Sequence, residues 1–153
     1  MSQTPPPPFT LAGRATLRFL GLRIYEAQLR VAPGFKASHY FESAFELGIE
    51  YARSLEGRLI AERSLMEIGR LAPIDAEVGR RWLAFMQTAF PDVRAGDRLT
   101  GHHDGHGLVR FSHNGQVTGE LADLEFGRLF FGIWLHPATS QPDMRRALLG
   151  SFL

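Results

Sequence analysis

The period of the apolar residues changes twice along this chain, and that switch limits the fold more than any other feature. Between residues 45 and 52 the alternation is strict. Phe45, Leu47, Ile49 and Tyr51 fall on one side of an extended backbone, and Glu46, Gly48, Glu50 and Ala52 on the other. Over the next ~35 residues the spacing becomes helical. It then returns to two around Asp104-Gly105 and Asn114-Gly115, dipeptides that are the strongest short-range signals for a β-hairpin. A chain that makes strands, then helices, then strands again must place helices against an antiparallel sheet.

The remaining segments fit that scheme. Residues 15–31 read as two strands around Gly21, or as one strand bent there, with a bulge expected at Gly21 where the register shifts. Pro33-Gly34 marks a turn. The helical stretch splits near Ala72-Pro73. Its first half carries Leu55, Leu59, Ile60, Leu65, Ile68 and Leu71. The second, entered around residues 73–75, carries Val78, Trp82, Leu83, Phe85, Met86 and Phe90, and Pro91 stops it. A third helix over about 123–135 has almost no polar face and is expected to be buried. A last helix starts near Pro142 with Ser140 or Thr139 as N-cap and ends at Gly150. The order β-β-β-α-α-β-β-β-α-α predicts an α+β fold.

At 153 residues the chain is one domain in size, able to bury roughly 70% of its unfolded surface. We expect a proline-rich lead-in over 1–10, with Pro5 to Pro8 in polyproline II, and a single domain over 11–153. The first ten residues have neither the basic nor the apolar region of a signal peptide. The expected location is therefore cytoplasmic for the sequence as it stands, and periplasmic if an export signal has been cut away. No run reaches the ~18 apolar residues of a membrane span. A net charge of +1 gives no reason to expect a nucleic acid partner. The absence of cysteine excludes disulfides, thiolate metal sites and a cysteine nucleophile.

Few residues point directly to chemistry. His102, His103 and His106 with Asp104 resemble a metal site by composition, but neighbouring strand residues point to opposite faces, so a polar turn is expected instead. His39, His113 and His136 look isolated or turn-bound. Glu46 and Glu50 share a strand face about 13 Å apart and read as a solvated surface. Nucleophile-elbow, dinucleotide-binding and Walker motifs are missing. Arg53, Arg58 and Arg63 flank the first helix. An arginine at the end of an apolar strand, near Tyr25, would suit the carboxylate of an otherwise apolar ligand. Phe130, Phe131 and Trp134 read as interior packing.

Several segments together resemble the bacterial chalcone isomerase-like family: GLRIYEAQL (21–29), FELGIEYAR (45–53), AERSLMEI (61–68), FPDVRAGDRLTG (90–101), RFSHNGQVTGEL (110–121), FFGIWLHPATS (130–140) and MRRALLG (144–150). The similarity runs over about 13–150. It implies an open-faced β-sandwich, a large antiparallel sheet with a helical layer on one face and a cleft between them. Family members of this fold include plant enzymes that cyclise chalcones, proteins that bind fatty acids and mitochondrial proteins that bind haem. The plant enzyme uses an arginine with a threonine and a tyrosine. The threonine belongs four residues before the strand tyrosine, where this chain has Gly21, and the arginine belongs upstream, at Arg14 or Arg18.

The resemblance thus implies binding of a small apolar or amphipathic ligand in the cleft, with no catalysis and no cofactor. An isomerase or lyase acting on a polyphenol-like compound is the alternative, and haem binding a third reading. The ligand-binding residues expected are Arg14, Arg18, Tyr25 and Arg53. If the carrier reading holds, the cleft must contain a cavity of at least ~300 Å³.

Overall fold

A computed structural model describes residues 9–153; the polyproline lead-in at Pro5 to Pro8 lies outside them. Six strands form one antiparallel sheet in sequence order: β1 Thr10–Phe19, β2 Leu22–Val31, β3 Ala44–Tyr51, β4 Arg98–Asp104, β5 Leu108–His113 and β6 Gln116–Ala122. Four helices lie against one face: α1 Gly57–Leu71, α2 Ala76–Ala89, α3 Leu124–Leu135 and α4 Pro142–Leu149. Helix α3 packs between α1 and α4. Helix α2 lies toward β6 and α4 over β1. This is the α+β open-faced arrangement expected.

Strand β3 shows why the alternation was informative. Phe45, Leu47, Ile49 and Tyr51 are buried toward the helices, while Glu50 is exposed and Glu46 half-buried on the open face. That open face is stitched by cross-strand ion pairs, Arg98 with Glu50 and Arg110 with Glu120. On the helical side, α3 presents Phe126, Phe130, Phe131 and Trp134 to the sheet, all buried. Its N-cap is Asp123, which accepts the Phe126 N–H at 3.0 Å and the Trp82 indole N–H at 3.1 Å.

Four local expectations need correcting. Gly21 is not a bulge: Leu20 and Gly21 form a two-residue hairpin turn closed by the Phe19–Leu22 pair, both with positive φ (51° and 78°). The register irregularities fall instead between Leu11 and Gly13 and between Leu17 and Arg18. The N-cap of α4 is Gln141, not Ser140 or Thr139, because the Thr139 hydroxyl accepts the N–H of Gln141 itself. The β4–β5 connection is not a two-residue Asp-Gly turn. Gly105, His106 and Gly107 span it, and Asp104 Oδ1 ties it down by accepting the N–H groups of His106 (2.7 Å) and Leu108 (3.1 Å). Finally, the histidine-rich turn is not wholly polar, because His103 is fully buried. Asn114-Gly115, in contrast, is the expected turn, with φ of 49° and 87°. A short 3-10 helix over Ala37–Glu42 had no clear signal in the sequence.

Candidate functional site

Strand pairing sets out the floor of the site. Leu17 pairs with Tyr25, and Tyr25 with Tyr51, making one row across β1, β2 and β3 on the helical face. In the next row Ala15, Ala27, Ile49 and Leu99 stand side by side. Helix α4 covers the part of β1 that carries Gly13 and Ala15, where small residues let it approach, while α3 meets the sheet at Gly101 through Phe131 and carries α1 beside it.

Between sheet, α1 and α3 the side chains do not close. A cavity of about 570 Å³ remains, walled by Leu47, Ile49 and Phe111 from the sheet and by Phe130, Phe131 and Trp134 from α3. This exceeds the ~300 Å³ that a carrier requires. The wall is mostly hydrocarbon and aromatic ring. A greasy ligand entering it would leave water for surface of its own kind.

A few polar groups interrupt that wall. The Tyr25 hydroxyl accepts the Trp134 indole N–H at 3.0 Å. The bond occupies a lone pair and leaves the phenolic proton without a protein acceptor among the described residues. Burial raises the Tyr25 pKa to about 12, against the smaller opposing pull of the Trp134 bond and the Arg63 charge. Tyr51, whose ring meets Tyr25 edge-on at 5.8 Å, is likewise pushed up by burial. Both phenols therefore stay protonated at any ordinary pH and can act only as neutral donors or acceptors.

Helix α1 contributes an ionic cluster at the wall. Glu67, with a side chain only 8% exposed, accepts the Ser140 hydroxyl at 2.7 Å through Oε2. Its Oε1 lies 3.4 Å from Arg63 Nε and 3.3 Å from Arg70 Nη1, near enough for ion pairing but without hydrogen-bond alignment. Arg63 is thus taken up by Glu67. Arg18 also lines the cavity and has no acidic partner among the described residues.

Of the four residues expected from sequence, Arg18 and Tyr25 line this cavity. Arg14 lines a smaller cleft of about 270 Å³ between β1 and α4, beside Thr16, Asp143 and Met144. Arg53 is exposed beyond the end of β3, outside the lining of either space. Sequence reasoning missed Tyr51, Glu67 and the Trp134 N–H as site groups, and named Arg63 only as a flanking charge. One signal was available: Arg63 and Glu67 are four apart on a helix and so share a face.

The histidines separate as strand geometry requires. His102 lies on the open face, its ring stacked on Phe9 at 5.9 Å. His103 lies on the helical face, stacked on Phe41 at 3.7 Å. Among the described residues no group of three or more His, Asp or Glu side chains is placed to hold a metal ion. None of the described histidines lines the cavity, which leaves haem without an imidazole ligand there. Gly21, the position at which the resemblance would place the plant threonine, sits on the exposed hairpin turn, and a Cβ added to it would meet nothing within 4 Å.

Comparison with known proteins agrees with this architecture. The family described as chalcone isomerase-like matches residues 64–150. An uncharacterized protein of Haemophilus influenzae is 29% identical over 116 residues, covering 71% of this chain and 53% of that protein. The chain thus spans about half the length of the curated relative it matches. Among solved structures, a fatty-acid binding protein of Arabidopsis thaliana superposes with a TM-score of 0.72, at 11% identity, over 94% of this chain and 88% of that one. At that identity the likeness establishes a shared fold.

Proposed function

We propose that this chain, which belongs to the chalcone isomerase-like family, is a non-catalytic carrier of a small apolar molecule with an acidic head group. The observation that carries the reading is the pairing of a large apolar cavity with an unpaired arginine and a protonated tyrosine on its wall. Arg18 supplies charge, and the Tyr25 O–H supplies a donor already oriented by the Trp134 N–H. A carboxylate accepts from both. The hydrocarbon tail then lies among Leu47, Ile49, Phe130 and Phe131. The Arabidopsis protein of the same fold is a fatty-acid binding protein, which supports a fatty-acid-like ligand.

The enzyme alternative lacks a threonine at the position where the resemblance would place it. Gly21 cannot hold a water in the cavity, since it lies on the turn outside the lining. Among the described residues no other hydroxyl stands beside Tyr25 on the β1–β2 wall.

The test is a titration with straight-chain fatty acids and their methyl esters, followed by native mass spectrometry. Affinity should rise about fourfold per added methylene until the cavity is full, from the ~0.8 kcal/mol of each buried CH₂. Arg18→Met should weaken acid binding about tenfold to a hundredfold and leave the ester nearly unchanged. Equal losses for acid and ester would refute Arg18 as the head-group contact. Turnover of a chalcone by the purified protein would refute the non-catalytic reading.

A further inference from the structure

We infer that the β1–β2 hairpin tip and the adjoining edge of α1 form a docking surface for anionic lipid bilayers, placed at the mouth of the cavity. Among the described residues, ten large apolar side chains are exposed, and five of them gather here. Phe19 (66% exposed), Leu59 (45%) and Met66 (52%) both line the cavity and reach solvent, so they mark where it opens. Leu20 (85%) and Leu22 (49%) continue the patch onto the hairpin tip. Burying one such side chain in a bilayer interface removes its apolar surface from water, as folding failed to do.

The backbone supplies an independent sign that the tip is kept for its surface. Leu20 holds φ at 51° in a turn whose positions favour Asn, Asp or Gly. A left-handed leucine is strained, and its side chain is left 85% exposed. The chain therefore carries an unfavourable residue at the tip of the hairpin, and that residue is apolar.

Charge selects the partner. The tip reads Arg18-Phe19-Leu20-Gly21-Leu22-Arg23, an apolar segment bracketed by two arginines with no acidic residue between them. Neither arginine has an ion-pair partner among the described residues, while on the cavity rim Glu62 pairs at 3.1 Å with Arg58, which also holds Glu56 at 3.3 Å. Arginines beside an inserted apolar tip fit anionic headgroups. A second copy of the chain would meet a narrow wedge on a two-residue turn, not the ~800 Å² per partner of a stable dimer.

This goes beyond the carrier reading, and flotation of the protein itself tests it without reference to any cavity ligand. The full chain is mixed with vesicles of phosphatidylcholine alone or with 30% phosphatidylglycerol (about a third anionic, as in an acidic leaflet). The parent should float with the anionic vesicles. Leu20→Asn suits the turn and should fold at least as well, yet its partitioning should fall about tenfold. Arg23→Gln should lose about fivefold on anionic vesicles and little on neutral ones. The inference fails if the parent stays unbound, or if Leu20→Asn floats like the parent. It also fails if Leu20→Asn leaves flotation intact but shifts the elution volume, which would assign the tip to self-association. Leu20→Asn should still bind fatty acid in solution, so loss of docking and loss of the cavity site are told apart.

Discussion

Two glycines of α1 should respond to the same substitution with opposite signs. Alanine in place of a helical glycine ordinarily stabilises by up to about 1 kcal/mol, since glycine loses more freedom on folding. Gly69 is exposed near the end of α1, and a Cβ there meets nothing within 4 Å. Gly69→Ala should therefore gain roughly 0.5–1 kcal/mol. Gly57 starts the same helix, where the chain leaving α2 crosses it. A Cβ there would lie 2.0 Å from the Phe90 carbonyl oxygen and 2.7 and 2.8 Å from the Pro91 carbonyl. These are backbone atoms, so no rotamer change relieves the contact. Ordinary contact starts near 3.4 Å, so α1 and the Phe90-Pro91 segment would have to part by 3.4 minus 2.0, about 1.4 Å. That shift also pulls Gly57 N–H from Asp92 Oδ1, now 2.8 Å away. Overpacking costs about 1–3 kcal/mol, and losing the hydrogen bond adds about 1. Gly57→Ala should thus destabilise by about 2–4 kcal/mol in all. Urea unfolding followed by tryptophan fluorescence measures both. At about 2–4 °C per kcal/mol for a chain of this size, the melting temperatures should move in opposite directions and end about 5–20 °C apart. If Gly57→Ala is as stable as Gly69→Ala, the close approach of α1 to the Phe90-Pro91 backbone is wrong.

Other expectations follow from single sites. Gly115→Val should destabilise although nothing lies within 4 Å of the added group, because φ of 87° excludes a β-branched residue; a melting curve matching the parent's would refute the turn. His103 should titrate below the ordinary histidine value, since burial disfavours its charged form more than the Ser43 carbonyl and Asp104 favour it. Its Nδ1–H donates to Ser43 O at 2.9 Å and its Nε2 accepts from Gly107 N–H at 3.1 Å. With the folded pKa depressed, the unfolded chain binds the extra proton first, so stability is fully present above about pH 6.5 and falls as pH drops toward the folded value. Nitrogen-detected NMR should show the Nδ1–H tautomer persisting below pH 6.5; an imidazolium at that pH would contradict the burial.

What the sequence made legible was period and turn chemistry. The strict alternation at 45–52 placed four side chains under the helices, and Asn114-Gly115 placed a turn, because both depend on neighbours in the chain. What stayed hidden depends on distant partners. The β1–β2 turn was misjudged because Leu20 is a poor residue for its conformation, so a propensity argument points elsewhere. His103 looked like part of a polar turn because its company, the Phe41 ring stacked at 3.7 Å and the Phe45 ring at 5.4 Å, is assembled only by the fold. In the site, Arg18 was implied, as an alternative to Arg14, by the family resemblance, and Tyr25 by that resemblance and by its place on an apolar strand. The partner that orients Tyr25 is Trp134, 109 residues away, and no spacing rule reaches that far. Choosing between Arg53 and Arg63 required knowing where β3 stops and which face α1 turns to the sheet.

The sheet is two meanders joined along a single seam. Strands β1 to β3 follow one another by short connections, as do β4 to β6, and only β3 with β4 is separated by a long excursion, residues 52–97, through α1 and α2. Closing a loop of about 46 residues costs roughly 3 kcal/mol more than closing a two-residue turn. Tyr25 and Tyr51 belong to the first meander, and Leu99, Gly101 and Phe111 to the second. Neither half encloses anything alone. The cavity therefore comes into being at the same moment as the global topology, and a molecule with both meanders formed but unjoined would display as bare, adhesive surface the same residues that later line it.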